Sequence, residues 1–162
     1  MSVTDMPLTT FAFEVVFQFS SAGGATLPRV GASFAEVDGL EMTMQQKTIE
    51  AGGVNTSQIH RMGPVTFANL TFKRGLTQDL GLWNWFTVSA TPGSQLTAAA
   101  TVTMWAADHT PAIQFTVTGC LPIKLRAPAL NARDGLVAIE ELTVAYQTLT
   151  IGMPGSSVGS GI

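Results

Sequence analysis

The stretch at residues 65–90, VTFANLTFKRGLTQDLGLWNWFTVSA, contains the clearest strand of this sequence, its clearest helix and the change from one to the other. Residues 66–73 alternate imperfectly with a period of two and are rich in β-branched and aromatic side chains, which predicts a strand. Gly75 then breaks the pattern, Thr77 can cap a helix with its hydroxyl, and Asp79 places a negative charge where the helix dipole favours it. The sequence therefore predicts a helix that begins near Gln78.

The predicted helix has apolar residues on two sides. One face is expected to cover a hydrophobic sheet, and it consists of Leu80, Trp83, Phe86 and Ala90, with Leu82 at its margin. Trp85 and Val88 point the other way. Two interpretations of that second side stay open: a partly exposed ring, which is common on protein surfaces, or a contact with a second subunit.

The composition is that of a chain covered by neighbours. Its 162 residues suit one domain with a sizeable core. Only 12% of the residues are charged and 46% are hydrophobic, so a monomer has few charges with which to solvate its surface. The net charge of −3 and the scattered Lys and Arg argue against a protein that recognises nucleic acid through its phosphates.

The sequence carries no recognisable signal for export or for a membrane span. Its first ten residues, MSVTDMPLTT, lack the basic and apolar regions of a secretory signal, and no apolar run approaches the length of a transmembrane helix. The single Cys120 excludes a disulfide within the chain and lies in an apolar context, where a thiol acts as a small hydrophobe. Synthesis in the cytosol is therefore expected.

Most of the remaining chain is predicted to form antiparallel strands. A first core strand is indicated by apolar residues that alternate strictly with their neighbours, namely Phe11, Phe13, Val15, Phe17 and Phe19. Residues 97–106 and 112–118 predict a hairpin, and residues 137–151 predict a long final strand. About seven strands and one helix are typical of an antiparallel β-sandwich or small barrel, so the fold class is mainly β.

Two further segments are expected to be less regular. Asp38-Gly39 predicts a tight turn or bulge. Pro122 and Pro128 make the segment between residues 120 and 132 an edge strand or an irregular crossing, because proline cannot donate to a ladder. We expect a single domain at residues 1–151 and a flexible Gly/Ser-rich tail at residues 152–162.

Residues 45–63, QQKTIEAGGVNTSQIHRMG, interrupt the strand pattern, and we call them the arm. The arm is polar, contains Gly52-Gly53, and lacks the regularly spaced apolar residues that would pack it against a core. Long segments of this kind are usually functional or disordered. The sequence therefore predicts a contact arm that projects from the barrel.

Catalytic and metal-binding residues are not brought together by any pattern in the sequence. His60 and His109 lie in different segments without partners at ligand spacing. Ser57 lies close to His60 in sequence, but no nucleophile elbow surrounds it. Glu140 and Glu141 are adjacent on a strand and so point to opposite faces, and one of them is expected to meet a Lys or Arg. We predict no catalytic site, no metal and no cofactor.

Several motifs occur in order along nearly the whole chain. They are FxFxV at residues 11–15, EAGGVN at 50–55, KRGxTxDxxLWxW at 73–85, PxKxxxPxLNA at 122–132 and VAIExL at 137–142. Taken together they resemble the tail tube proteins of contractile-tailed phages and of phage-tail-like contractile injection systems. Ala51 before the glycines and Gln147 depart from the family pattern, which leaves the type of particle open.

The resemblance implies a tail tube or Hcp-like fold that assembles into hexameric rings, which stack into a hollow tube without enzymatic activity. The implied partners are other copies of the chain, a sheath protein, baseplate and spike proteins and a tube-terminating cap, with protein or DNA as cargo in the lumen. No specific recognition of nucleic acid is implied. The subunit is expected to be made in the bacterial cytoplasm and to become part of a phage tail or a tail-like particle.

Two sets of residues are predicted to hold the assembly together. Ring stacking is assigned to the arm through Lys47, Thr48, Ile49, Glu50, Ala51, Gly52, Gly53, Val54, Asn55 and Arg61. The lateral interface between subunits is expected to continue a sheet, since the strands show little edge protection, and it is assigned to Trp85, Val88, Val144 and Tyr146.

Two other functional classes remain as alternatives. Abundant Phe and Met side chains also suit a small-ligand carrier, an antiparallel β-barrel with an apolar lumen. An injected effector or a secreted enzyme on the same fold ranks last, because the sequence lacks a catalytic constellation.

Overall fold

The computed structural model describes residues 12–21, 30, 33–49, 52–53, 58–133 and 135–155. It confirms a mainly β fold with one helix. The elements are β1 (Phe13–Ser21), β2 (Glu36–Asp38), β3 (Met42–Ile49), β4 (Ile59–Phe67), β5 (Leu70–Gly75), α1 (Gly81–Ala90), β6 (Leu96–Trp105), β7 (Pro111–Arg126), β8 (Ile139–Ala145) and β9 (Thr148–Gly152).

Seven of these strands form two antiparallel sheets that share the long strand β7. Sheet A has the order β1-β6-β7-β9 and uses β7 up to Cys120. Sheet B has the order β7-β8-β5-β2 and uses the second part of β7, from Leu121 to Arg126. Strands β3 and β4 pair only with each other within the described residues.

Aromatic side chains fill the core between the sheets. The predicted alternation in β1 is confirmed for its described residues, since Val15 is fully buried while Glu14, Val16 and Gln18 are exposed. The Phe17 ring lies 5.1 Å from Phe72 between ring centroids. Cys120 is also buried, and burial raises the pKa of its thiol to about 11, so the thiol stays protonated at neutral pH. Phe11 lies outside the described residues.

Two predicted strands are broken where the chain changes partners. The expected strand at 66–73 is interrupted at residues 68–69, because Gly39 crosses there so closely that a Cβ on it would lie 2.0 Å from the Asn69 carbonyl oxygen. The expected strand at 137–151 divides into β8 in sheet B and β9 in sheet A. At that division the Gln147 N–H donates to the Thr118 carbonyl, 2.9 Å away, and Gly119 adopts a φ of +65° beside the Gln147 side chain.

The prolines have the effect that the sequence predicts. Pro122 lies within β7, and the register shifts between Pro122 and Lys124, which indicates a bulge. From Leu121 onward β7 pairs with β8 on one side, and no other described strand pairs with its second side. This part of β7 is therefore an edge, as a strand that contains proline must be.

The start and the faces of the helix differ from the prediction. Helix α1 begins at Gly81, three residues after Gln78, and it is Asp79 that accepts a hydrogen bond from the Gly81 N–H at 2.9 Å. The predicted faces were wrong, because Trp85 is fully buried while Leu80 is 60% exposed. Trp83, assigned to the buried face, is 36% exposed.

A buried ion pair explains this orientation of the helix. Arg74 on β5 donates from Nε to Glu140 on β8, and both side chains are almost completely buried. Arg74 also donates to the Asp79 carboxylate at 3.0 Å and to the Asp79 carbonyl at 2.9 Å. The Trp83 indole N–H donates to the second Glu140 oxygen at 3.2 Å. These bonds turn Trp83 toward the ion pair, so Trp85 faces the core.

We expect removal of one partner of this pair to destabilise the fold strongly. The variant Glu140→Leu removes the buried carboxylate that accepts from Arg74 Nε, which costs about 3–5 kcal/mol of unfolding free energy. The double variant Arg74→Met/Glu140→Leu removes both charges, and it should recover a large part of that loss. Urea unfolding of the monomeric protein measures both values. The exposed pair of Lys73 and Glu36, 2.8 Å apart, provides the control, since Glu36→Gln should change stability very little.

Candidate assembly site

The arm forms the outer part of a β-hairpin built from β3 and β4. Its residues 45–49 and 59–63 therefore have regular strand structure, although their sequence lacks an apolar period. Gly63 in β4 lies opposite a register shift between Met44 and Gln46, and a Cβ on Gly63 would come within 2.6 Å of the Gln45 carbonyl oxygen. Because a hairpin of two strands is marginally stable alone in water, this one requires contacts outside itself.

One face of the hairpin is rich in exposed apolar side chains. The pairing places these residues on the same face, and the largest of them are Met42, Met44, Met62 and Val65. Met62 is 86% exposed. Exposed apolar groups in such a cluster mark a surface that another protein covers.

The opposite face of the hairpin carries a pair of like charges. Lys47 on β3 lies directly across from Arg61 on β4, and both are exposed. Like charges at facing positions destabilise a strand pair. An acidic group from another molecule would relieve this repulsion.

The base of the hairpin is fixed to the body by Tyr146. The Tyr146 hydroxyl lies 3.0 Å from the Gly39 carbonyl oxygen and 3.2 Å from the Glu41 carbonyl oxygen. The Tyr146 ring lies 5.3 Å from the Phe67 ring between centroids. Tyr146, which directly follows β8, therefore holds both the segment that leads into β3 and the end of β4. The sequence analysis did not predict this role.

The residues predicted for ring stacking lie in the hairpin where the structure describes them. Lys47, Thr48 and Ile49 belong to β3, Arg61 belongs to β4, and Gly52-Gly53 forms an exposed turn between them. Glu50, Ala51, Val54 and Asn55 lie outside the described residues.

Three residues predicted for the lateral interface are instead part of the core. Trp85, Val144 and Tyr146 are buried within the chain, so their side chains are not available to a neighbour. Val144 also lies in an interior strand, since β8 pairs with β5 on one side and β7 on the other. Val88 is half-buried against the same core.

A second exposed apolar surface was not predicted. Residues 127–138 connect β7 to β8, and Leu130, Leu136 and Val137 in this loop are each at least 80% exposed. Together with neighbouring residues they line an open groove of about 700 Å³. The signal in the sequence was the group of large aliphatic residues on either side of residues 131–135, namely Leu130, Leu136 and Val137.

The structure gives little support to a small-ligand carrier. Packed rings such as Phe17, Phe72 and Trp85 occupy the space between the sheets that a ligand carrier would leave open.

The described residues contain no group of three His, Cys, Asp or Glu side chains that could hold a metal ion. Within the same residues, no helix has the length and apolar character needed to cross a membrane.

Comparison with known proteins identifies related sequences and folds. A family model described as "T4-like virus tail tube protein gp19" matches residues 9–150. No curated protein sequence matches this chain.

Solved structures share the fold at low sequence identity. A chain of the cryo-EM structure of the anti-feeding prophage (AFP) baseplate is 21% identical, with 91% of this chain and 97% of that chain covered and a TM-score of 0.79. A chain of the sheath-tube complex of PVC, an extracellular contractile injection system, is 18% identical, with 94% and 99% covered and a TM-score of 0.74. Hcp1 from Flavobacterium johnsoniae is 14% identical, with 88% and 96% covered and a TM-score of 0.51.

We expect Tyr146→Phe to loosen the base of the hairpin. The variant keeps the ring but loses the hydroxyl, so it should lower the unfolding free energy by about 1 kcal/mol. Hydrogen exchange measured by mass spectrometry should become faster at residues 39–44 and 65–69. Thr97→Val serves as the control, because it removes an exposed hydroxyl bond to the Ser20 carbonyl on sheet A. Equal exchange at the hairpin base in all three proteins would contradict the assigned role of Tyr146.

Proposed function

Because this chain belongs to the T4-like virus tail tube protein gp19 family, we propose that it is the inner tube subunit of a contractile tail or injection particle. Copies of the chain close into hexameric rings, and the rings stack into a tube that conducts cargo. The solved structures that share its fold include a sheath-tube complex, a baseplate and a tube-terminating cap. We therefore assign sheath, baseplate and cap proteins as its partners.

The observation that carries this proposal is the exposed hairpin. The hairpin projects from the body with apolar side chains on one face and two cations on the other, and within the described residues its strands pair only with each other. A structure of this kind is stabilised when neighbouring subunits cover it.

The position of the hairpin suits contacts between stacked rings. The hairpin ends at Phe67, just before β5 begins at Leu70. The apolar loop at 127–138 lies at the other end of β5, because Gly75 pairs with Ile139 and the Leu76 N–H donates to the Ala138 carbonyl at 2.8 Å. Six strand residues separate the two surfaces by about 20 Å. One subunit can therefore present the hairpin at one end of sheet B and the apolar loop at the other.

Contacts between two different surfaces continue from ring to ring, as a growing tube requires. The hairpin of one ring would contact the apolar loop region of the next. In this arrangement the tube subunit acts by assembly, and no catalytic role is assigned to it. Synthesis in the cytoplasm would precede assembly into the particle.

We expect polar substitution of the hairpin to separate rings without unfolding the subunit. In Met44→Ser/Met62→Ser, two exposed side chains lose their apolar surface, so the fold should be unchanged while stacking weakens. Negative-stain electron microscopy should show tubes for the unmodified protein and single rings for the variant. Met153→Ser is the matched control, because Met153 is 68% exposed and lies beyond β9.

Tubes of normal length from the double variant would contradict the role of the hairpin in stacking. If the unmodified protein formed neither rings nor tubes, that result would contradict the proposed function itself.

A further inference from the structure

The methionines of this chain are concentrated on the hairpin of β3 and β4. The sequence contains seven methionines, and three of them, Met42, Met44 and Met62, belong to these two strands. The strand pairing places all three on the apolar face of the hairpin. No other described helix or strand contains more than one methionine. The apolar character of this face is therefore largely that of thioether side chains.

The sulfur-bearing side chains of the hairpin are open to solvent in the single chain. Met42 is 55% exposed, Met44 is 53% exposed, and Met62 is more exposed than either. Because a peroxide must reach the sulfur atom to react with it, exposed methionines are oxidised before buried ones. These three side chains are therefore accessible to oxidants for as long as the hairpin is uncovered.

The other surface assigned to stacking contains no sulfur. Residues 127–138 include neither Met nor Cys, and the large apolar side chains that they expose are Leu130, Leu136 and Val137. Cys120 is buried, and burial raises the pKa of its thiol to about 11, so it lacks the thiolate that reacts with peroxides. A peroxide would thus alter the hairpin and leave unchanged the surface that the hairpin contacts.

We propose that Met42, Met44 and Met62 are sites of reversible oxidation by hydrogen peroxide, and that their oxidation prevents the subunit from stacking. A lone pair of the thioether sulfur attacks one peroxide oxygen, and the O–O bond breaks. The proton on the transferred oxygen leaves with the departing hydroxide as water. The sulfur is oxidised to a sulfoxide, and the peroxide is reduced. This inference rests on the proposed function for the role of the hairpin, and it adds a chemical condition under which that role is lost.

A sulfoxide replaces apolar surface with a strong hydrogen-bond acceptor. Its oxygen carries partial negative charge and is hydrated in water, so burying it without a donor costs free energy. The aliphatic side chains of Leu130, Leu136 and Val137 have no donor to offer. An oxidised hairpin should therefore bind the loop region of the next ring much more weakly, while the fold of the subunit is unchanged because the oxidised side chains are exposed.

Stacking and oxidation exclude each other in this arrangement. In an assembled tube the neighbouring ring covers the hairpin, so peroxide does not reach its sulfur atoms. The free subunit is therefore the sensitive form, and the finished tube is resistant. Met153 serves as an internal reference for the amount of peroxide, because it is exposed and belongs to neither stacking surface.

Peroxide treatment before and after assembly tests the proposal. Unassembled subunits are treated with hydrogen peroxide, the peroxide is removed with catalase, and assembly is followed by negative-stain electron microscopy. Oxidised subunits should give single rings in place of tubes, and methionine sulfoxide reductases should restore the tubes. Peptide mass spectrometry should show that Met62 is oxidised at least about tenfold more slowly in finished tubes than in free subunits, because oxidation follows access to the sulfur. Oxidation of Met153 should be equal in both.

Leucine variants identify the residues responsible. Met42→Leu/Met44→Leu/Met62→Leu keeps apolar side chains of similar volume, so it should be folded by circular dichroism and should form tubes. It should form them equally well after peroxide treatment. The matched control Met153→Leu should remain as sensitive as the unmodified protein. Because the triple variant retains every other methionine and Cys120, its resistance would assign the effect to the hairpin.

Oxidised rings should also stop growth at one end of a tube. An oxidised ring keeps its loop surface, so it can accept the hairpins of a neighbouring ring but cannot insert its own. When gold-labelled oxidised rings are mixed with unmodified rings, the label should therefore lie at one end of each tube. Label at both ends or along the tube would contradict the inference.

The remaining outcomes distinguish this inference from the proposed function. Tubes of normal length from subunits whose hairpin methionines are oxidised would overturn the inference while the tube function stands. Peroxide sensitivity that persists in the triple leucine variant would do the same. An unmodified protein that forms neither rings nor tubes would overturn both.

Discussion

The buried ion pair between Arg74 and Glu140 is the interaction on which the rest of this structure depends. It joins β5 to β8 at the centre of sheet B, and through Asp79 and Trp83 it fixes where the helix begins and which side of it is buried. Charged side chains that are buried away from water must be fully paired. Here the Arg74 guanidinium and the Glu140 carboxylate both have additional hydrogen-bond partners. Helix position, core packing around Trp85 and the alignment of sheet B are therefore determined together.

The structure separates two kinds of surface. The hairpin and the loop at 127–138 present aliphatic and methionine side chains at opposite ends of β5, whereas strands β2 and β7 of sheet B carry exposed charges. Apolar contacts contribute affinity that changes little with ionic strength, while charged contacts contribute orientation and partner choice. Oxidation of sulfur and a change of ionic strength therefore act on different surfaces of the subunit.

Sequence patterns predicted the fold class and the presence of the arm, but they could not resolve the helix faces or the true edges. The segment LWNWF at residues 82–86 has apolar side chains on nearly every side, so periodicity alone does not say whether Trp83 or Trp85 enters the core. Strand β1 was predicted well because its alternation is strict. Val144 was misassigned to an interface because residues 137–151 were predicted to form one final strand at an edge. The chain instead crosses between the sheets at Tyr146 and Gln147, so Val144 lies in an interior strand of sheet B. Strand order is a long-range property that local sequence does not encode.

Strand β7 has a mechanical consequence. It runs from Pro111 to Arg126 without a break, and its first part pairs in sheet A while its second part pairs in sheet B. A force applied to one sheet therefore reaches the other along covalent bonds rather than through a loop that could bend. The packed side chains between the sheets resist compression in the same way that other protein interiors do. Each subunit should respond to axial load as one stiff body, and any compliance in a column of such subunits would reside in the contacts between them.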